Sequence, residues 1–232
     1  MLITEAVAAY LRDKKLKSSA DYNEMKNGLE QFLYFLSDSS PIKVKELSEL
    51  SMVHFQEFLS YWAIRNCHLN PSTARYLLLA LEDFGKYAYK RLEVDLPAIY
   101  RPVLEALKDD LPRVISLQKV LSPLRNDESL PYMLAVYGTE KSRELGIIPG
   151  DDYGNTIEGY MELKHLGEGT IAELFSLEKE MGIGPVKLSF EAAKLIREGD
   201  ILYLKLGEKK DSIWEIIDAG FAYPSLAKLF AK

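Results

Sequence analysis

The sequence predicts a helical domain followed by a small α+β domain, and three observations predict it. Apolar residues recur at the 3.6-residue helical period from the N-terminus to about residue 92. Pro97, Pro102 and Pro112 then crowd one short stretch, where helix is expected to break. Further on, apolar and polar residues alternate with period two between glycines, the pattern of short strands and hairpins. The expected domains are therefore residues 1–98, all helical, and residues 112–232, containing a sheet, with the division across residues 98–112.

Four helices are expected in the first domain. The first spans about Ile3 to Lys14. The second spans about Ala20 to Ser37, capped by Ser18 or Ser19, with Met25, Leu29, Phe32, Leu33 and Leu36 on one stripe. The third follows Ser51 and turns Phe55, Phe58, Leu59 and Trp62 inward. The fourth opens with Asn70-Pro71, a cap followed by a first-turn proline, and carries Ala74, Leu77, Leu78, Leu81, Phe84 and Ala88. SDSSPIKVKEL reads as a connection, RNCHLN as a short turn, and RLEVDLPAIYRP as an interruption. Short helices are expected at Val103–Lys108 and after Ser116. Strands are expected around Tyr160–Lys164 and Ile201–Leu206, with Ser189–Glu198 helical between strands.

The chain has 232 residues, 47% hydrophobic and 28% charged, an ordinary globular composition with room for two small domains. No run approaches a membrane span, and the opening MLITEAVAAYLRDKK places acidic residues where a signal peptide would be basic and then apolar. A cytoplasmic protein with no membrane partner is expected. The one cysteine, Cys67, and three scattered histidines offer no zinc pattern, so no metal or other cofactor is expected. Net charge is −6, which disfavours strong nonspecific attraction to a polyanion. Residues 1–100 hold 12 Lys and Arg against 13 Asp and Glu. DNA binding by this half would need a local basic face.

The order of elements carries a resemblance. S-S-A-D-Y opens a helix and F-L-Y-F-L continues it. K-E-L-S-E-L-S-M-V-H-F-Q-E-F-L-S-Y-W leads into the third helix, and P-S-T-A-R-Y-L-L-L-A-L-E-D-F-G-K-Y-A forms the fourth. Together these resemble, over about 90 residues, the N-terminal SAM-like core-binding domain of tyrosine recombinases, the phage-integrase family. The resemblance implies a four-helix SAM-like bundle that forms half of a clamp on duplex DNA, with helix N-termini and basic residues toward the phosphates. Carried onto this chain, it implies contacts from Lys14, Lys15, Lys17, Ser19, Lys26, Ser72 and Arg75, with Lys86, Lys90 and Arg91 as a second cluster. Any single one of these also reads as an ordinary solvated surface residue.

The second half is only faintly similar to the family's catalytic domain. T-E-K-S-R-E-L stands near the place of the family's arginine-bearing turn, which makes Arg143 a remnant out of register, and Lys164 is the candidate for the hairpin lysine. H-x-x-R is absent, since the only histidine after residue 100 is His165, in H-L-G-E. Trp214 and Tyr223 keep the family's spacing between its last His/Trp and its nucleophile, but Tyr223 in A-G-F-A-Y-P reads more simply as a strand-end aromatic packed on its sheet. No phosphate loop, dinucleotide fingerprint or nucleophile elbow is present, and Asp109-Asp110 and Asp151-Asp152 read as solvated turns. A noncatalytic DNA-binding protein related to the recombinases is expected. Two alternatives stay open: a protein-interaction module, including self-association through the C-terminal domain, and a diverged active recombinase.

Overall fold

A computed structural model describes residues 1–16, 21–41, 43–121, 130–144 and 153–231. They form two compact units, Met1–Ile115 and Ser116–Lys232. The layout of helices followed by a mixed sheet matches the expectation from sequence.

In the first unit α1 is Ile3–Leu16, α2 Tyr22–Tyr34, α3 Met52–Glu57, α4 Ala63–Asn66 and α5 Pro71–Leu92, and α6, Leu96–Leu121, begins there and continues past Ile115. Two wide π turns extend the pattern, Phe35–Ser39 after α2 and Phe58–Trp62 between α3 and α4. Such a turn holds one residue more than an α turn. Sequence neighbours Phe35 and Leu36, and then Phe58 and Leu59, can therefore both be buried, while Leu33 and Trp62, expected inside, are only half-buried. The aromatic centre is Phe32, with ring centres 5.2 Å from Phe55 and 5.0 Å from Phe58. The N-cap of α2 is Asp21; Ser18 and Ser19 lie outside the described residues.

The proline stretch departs from expectation. The expected interruption appears only at Glu93–Asp95, where Glu93 is left-handed (φ 57°); the chain does not break at Pro102 or Pro112, and in place of two short helices α6 is a single helix of 26 residues that contains both prolines. The two units divide after Ile115 rather than across residues 98–112. Pro97 sits in the first turn, where the missing N–H is harmless. Each interior proline costs about 3 kcal/mol. Against that, Leu96, Tyr100, Val103, Leu107, Leu111 and Val114 are all buried along one stripe. At roughly 1.5–3 kcal/mol for each large apolar side chain, this burial outweighs both prolines.

In the second unit α7 is Leu130–Glu144, broken at Gly138, whose φ is 74°. Thr139–Glu144, expected as a turn, is thus helical; the side chain of Arg143 lies outside the described residues, as do Asp151 and Asp152. Asp109 and Asp110, also expected in a turn, lie within α6. Then follow β1 Asn155–Leu166, β2 Ile171–Ser176, β3 Met181–Lys187, α8 Phe190–Leu195, β4 Ile201–Glu208 and β5 Trp214–Tyr223. Ser189 Oγ caps α8 by accepting from the Ala192 N–H at 3.1 Å. The strands close into a barrel in the order β1-β2-β3-β5-β4. Long β1 pairs with β4 through Asn155–Glu162 and with β2 through Met161–Leu166, and β3 meets β5 in parallel at Val186 and Trp214. This is the connectivity of the five-stranded OB-type barrel. Met161, Leu163, Leu174, Leu204 and Leu206 fill one face, all essentially inaccessible. No helix among the described residues is long and apolar enough to cross a membrane.

Candidate nucleic-acid interface

Helix α5 organises the candidate site. Asn70 Oδ1 accepts from the N–H groups of Ser72 and Thr73 at 2.8 and 3.0 Å, and Thr73 Oγ1 accepts from the Asn70 N–H at 2.8 Å. The Ala74 N–H donates to the Asn70 carbonyl. With Pro71 lacking an N–H, the first-turn amides are committed to the cap. The expectation that this N-terminus offers open amides to a phosphate is therefore corrected: the hydroxyl of Ser72, which is exposed, is what it presents.

The inner face of α5 buries Ala74, Leu77, Leu78, Leu81, Phe84 and Ala88, as expected from the period. Gly28 of α2 seats against Leu77 and Ala80. At 100° per residue, Ser72, Arg75, Leu79, Lys86 and Lys90 share the opposite, exposed stripe. Arg91 is exposed on a neighbouring face. Two acids interrupt the stripe and both are neutralised locally: Lys86 pairs with Glu82, and Lys14 of α1 pairs with Asp83. Burial pushes the Asp83 carboxyl up, but bonds from Lys14 and Tyr10 outweigh it and hold the group below the usual carboxylate range. Arg75, Lys90 and Arg91 have no ion pair among the described residues.

The other expected contacts do not join this stripe. Lys26 pairs with Glu30 along α2, and Lys15 is exposed near the end of α1. Lys17 and Ser19 lie outside the described residues.

The expected break at Pro102 hid residues on α6. A groove of about 500 Å³ runs between α5 and α6. It is lined by the apolar Leu78, Leu79, Pro97 and Leu104, by Arg75 and Lys86 of α5 and Arg101 and Lys108 of α6, and by Glu82, Glu105 and Asp109. The seven-residue spacing of Arg101 and Lys108 is a helical signal, legible only once α6 is continuous. Close approach of the helices depends on Gly85, because a β-carbon there would lie 2.0 Å from Tyr100 Cε1.

In the barrel, Tyr223 is fully buried at the end of β5, its ring 6.2 Å from those of Tyr160 and Phe221. This is the sheet-packing aromatic expected from the sequence, and its side chain is inaccessible in this fold. Trp214 opens β5, and His165 Nδ1 lies 3.1 Å from Glu198. Lys164 is exposed on β1 and pairs with Glu162 at 2.9 Å.

Comparisons of the chain with protein-family models, with curated proteins and with solved structures find no match.

Proposed function

We propose that this chain is a noncatalytic DNA-binding protein, related to the tyrosine recombinases through a SAM-like N-terminal bundle, that contacts duplex DNA with its helical unit. The observation that carries the reading is the recurrence of Ser72, Arg75, Lys86 and Lys90 on one exposed stripe of α5, with its two acids neutralised by Lys14 and Lys86. From residue 72 to residue 90 the stripe extends about 27 Å at 1.5 Å per residue, enough to follow a groove or one backbone. Arginine and lysine along it would displace counterions and position the helix without reading sequence. With a net charge of −6 on the whole chain, binding is modest and local. The test is a gel-shift assay with a duplex at two salt concentrations. Binding should weaken as salt rises and be lost in an Arg75→Glu/Lys86→Glu/Lys90→Glu variant that melts like the parent.

A second reading, docking of a protein partner, is favoured by the groove between α5 and α6. Its lining includes Leu78, Leu79, Pro97 and Leu104, Leu79 is 48% exposed, and both cations and anions line it. Leu79→Asn separates the two readings, since it removes the apolar contact without changing any charge on the stripe.

A further inference from the structure

The groove between α5 and α6 has the make-up of a small-molecule site. Its volume of about 500 Å³ falls within the roughly 300–1,000 Å³ usual for such sites. Leu78, Pro97, Tyr100 and Leu104 line it and are themselves buried. Each offers little accessible area, which suits a single acyl chain or ring better than the wide apolar stripe of a partner helix. The wall is also held in place. The Tyr100 hydroxyl donates to the Glu82 carbonyl at 3.1 Å, and its ring lies against Gly85.

The charges around this apolar wall do not cancel. Lys86 and Glu82 neutralise each other. Among the other charged lining residues, Arg75, Arg101 and Lys108 outnumber Glu105 and Asp109, and none of these has an ion pair among the described residues. The surplus is positive, and it includes two arginines whose donors are uncommitted. A guanidinium presents a planar fork of N–H groups that fits a carboxylate through two parallel hydrogen bonds. A ligand with an apolar body and one carboxylate satisfies both halves of the lining.

We propose that the groove binds a small amphipathic monocarboxylate, an acyl or aryl acid, with its body on the apolar wall and its carboxylate at the arginines, and that this ligand weakens DNA binding. Arg75 and Lys86 belong both to the groove and to the exposed stripe of α5. A carboxylate on Arg75 therefore takes a cation from the phosphates. This second part rests on the DNA-binding reading, whereas ligand binding stands without it.

The test uses the full chain, with octanoate and its uncharged isostere octanamide titrated by isothermal calorimetry. Octanoate should bind at least about tenfold more tightly than octanamide. Arg101→Gln should weaken octanoate about tenfold through the lost charge-assisted bonds and leave octanamide unchanged, and Leu79→Asn should weaken both, each variant melting like the parent. With a labelled duplex near physiological salt, saturating octanoate should weaken binding of the natural protein about fivefold, the counterion contribution of roughly one phosphate contact. Ionic strength is held constant with acetate. Absence of octanoate binding, equal binding of octanamide, or octanoate binding unchanged in both variants would overturn the ligand site. Duplex affinity unchanged by saturating octanoate would overturn the competition. A protein that binds octanoate but no duplex would sink the DNA-binding reading and the competition together, and leave the ligand site standing.

Discussion

Gly85→Ala tests the packing that positions the candidate site. The new methyl would lie 2.0 Å from Cε1 and 2.6 Å from Cζ and the hydroxyl oxygen of Tyr100. Relief of this overlap requires a shift of about 1.5 Å to reach ordinary contact, and the ring has little room to give. It is 3% exposed, its hydroxyl donates to the Glu82 carbonyl at 3.1 Å, and its centre lies 5.8 Å from that of Phe55. Overpacking of this kind costs about 1–3 kcal/mol, and loss of the hydroxyl bond adds about 1 kcal/mol. Alanine's better helix propensity offsets about 1 kcal/mol. The net expectation is destabilisation by about 1–3 kcal/mol, or roughly 4–12 °C in the melting of a unit this size. Urea melts of the full chain followed by far-ultraviolet circular dichroism measure it. In a Tyr100→Ala background the same change should be neutral or stabilising, because the obstruction is gone. If Gly85→Ala stabilises the natural protein by about 1 kcal/mol, as at an open helix position, α5 and α6 do not meet as described.

Three further outcomes follow from individual side chains. His54 is buried with its Nδ1 accepting the Ser51 N–H at 3.0 Å, and burial depresses its pKa. The unfolded chain takes up this proton near pH 6.5, so the stability it contributes is complete above that value and declines as pH falls toward the folded value; His54→Gln should remove that part of the decline. Burial pushes the Cys67 thiol up to about 12, so at pH 8 dithionitrobenzoate should label it at least a hundredfold more slowly than after denaturation. A nicked suicide DNA substrate should trap no covalent adduct; an adduct that vanishes in Tyr223→Phe would show that the buried tyrosine reaches DNA after all.

Local signals carried the helical unit. Asn70-Pro71 specified the start of α5 because a side-chain acceptor and a missing N–H are properties of two adjacent residues, and the burial of Leu77, Leu81, Phe84 and Ala88 followed from the period. The π turns were not legible, because one extra residue in a turn leaves no composition signal and shows only as the paired burial of Phe35 with Leu36 and Phe58 with Leu59. Pro102 and Pro112 misled for a related reason: their local cost is visible in sequence, whereas the burial that offsets it depends on what α6 meets in three dimensions. The contribution of Arg101 and Lys108 to the groove was lost with that helix. In the second unit the alternation gave the strands, but closure rests on the parallel pairing of Val186 with Trp214, distant in sequence. The candidate site was partly legible. Ser72 and Arg75 were legible at one end of the fourth helix and Lys86 and Lys90 at the other as two separate clusters, while their sharing of one stripe, and the ion pairs that commit Lys14, Lys26 and Lys86, emerged with the fold.

The salt dependence of duplex binding tests the central claim most directly. Affinity of the full chain for a short duplex is measured across a salt series, beside Arg75→Glu/Lys90→Glu, which alters two exposed cations and no buried group. For contacts along α5, the slope of log K against log salt should become shallower by about 0.9 for each lost phosphate contact, roughly 1.8 in all. A natural protein that binds the duplex with the same slope and affinity as the variant would contradict the account.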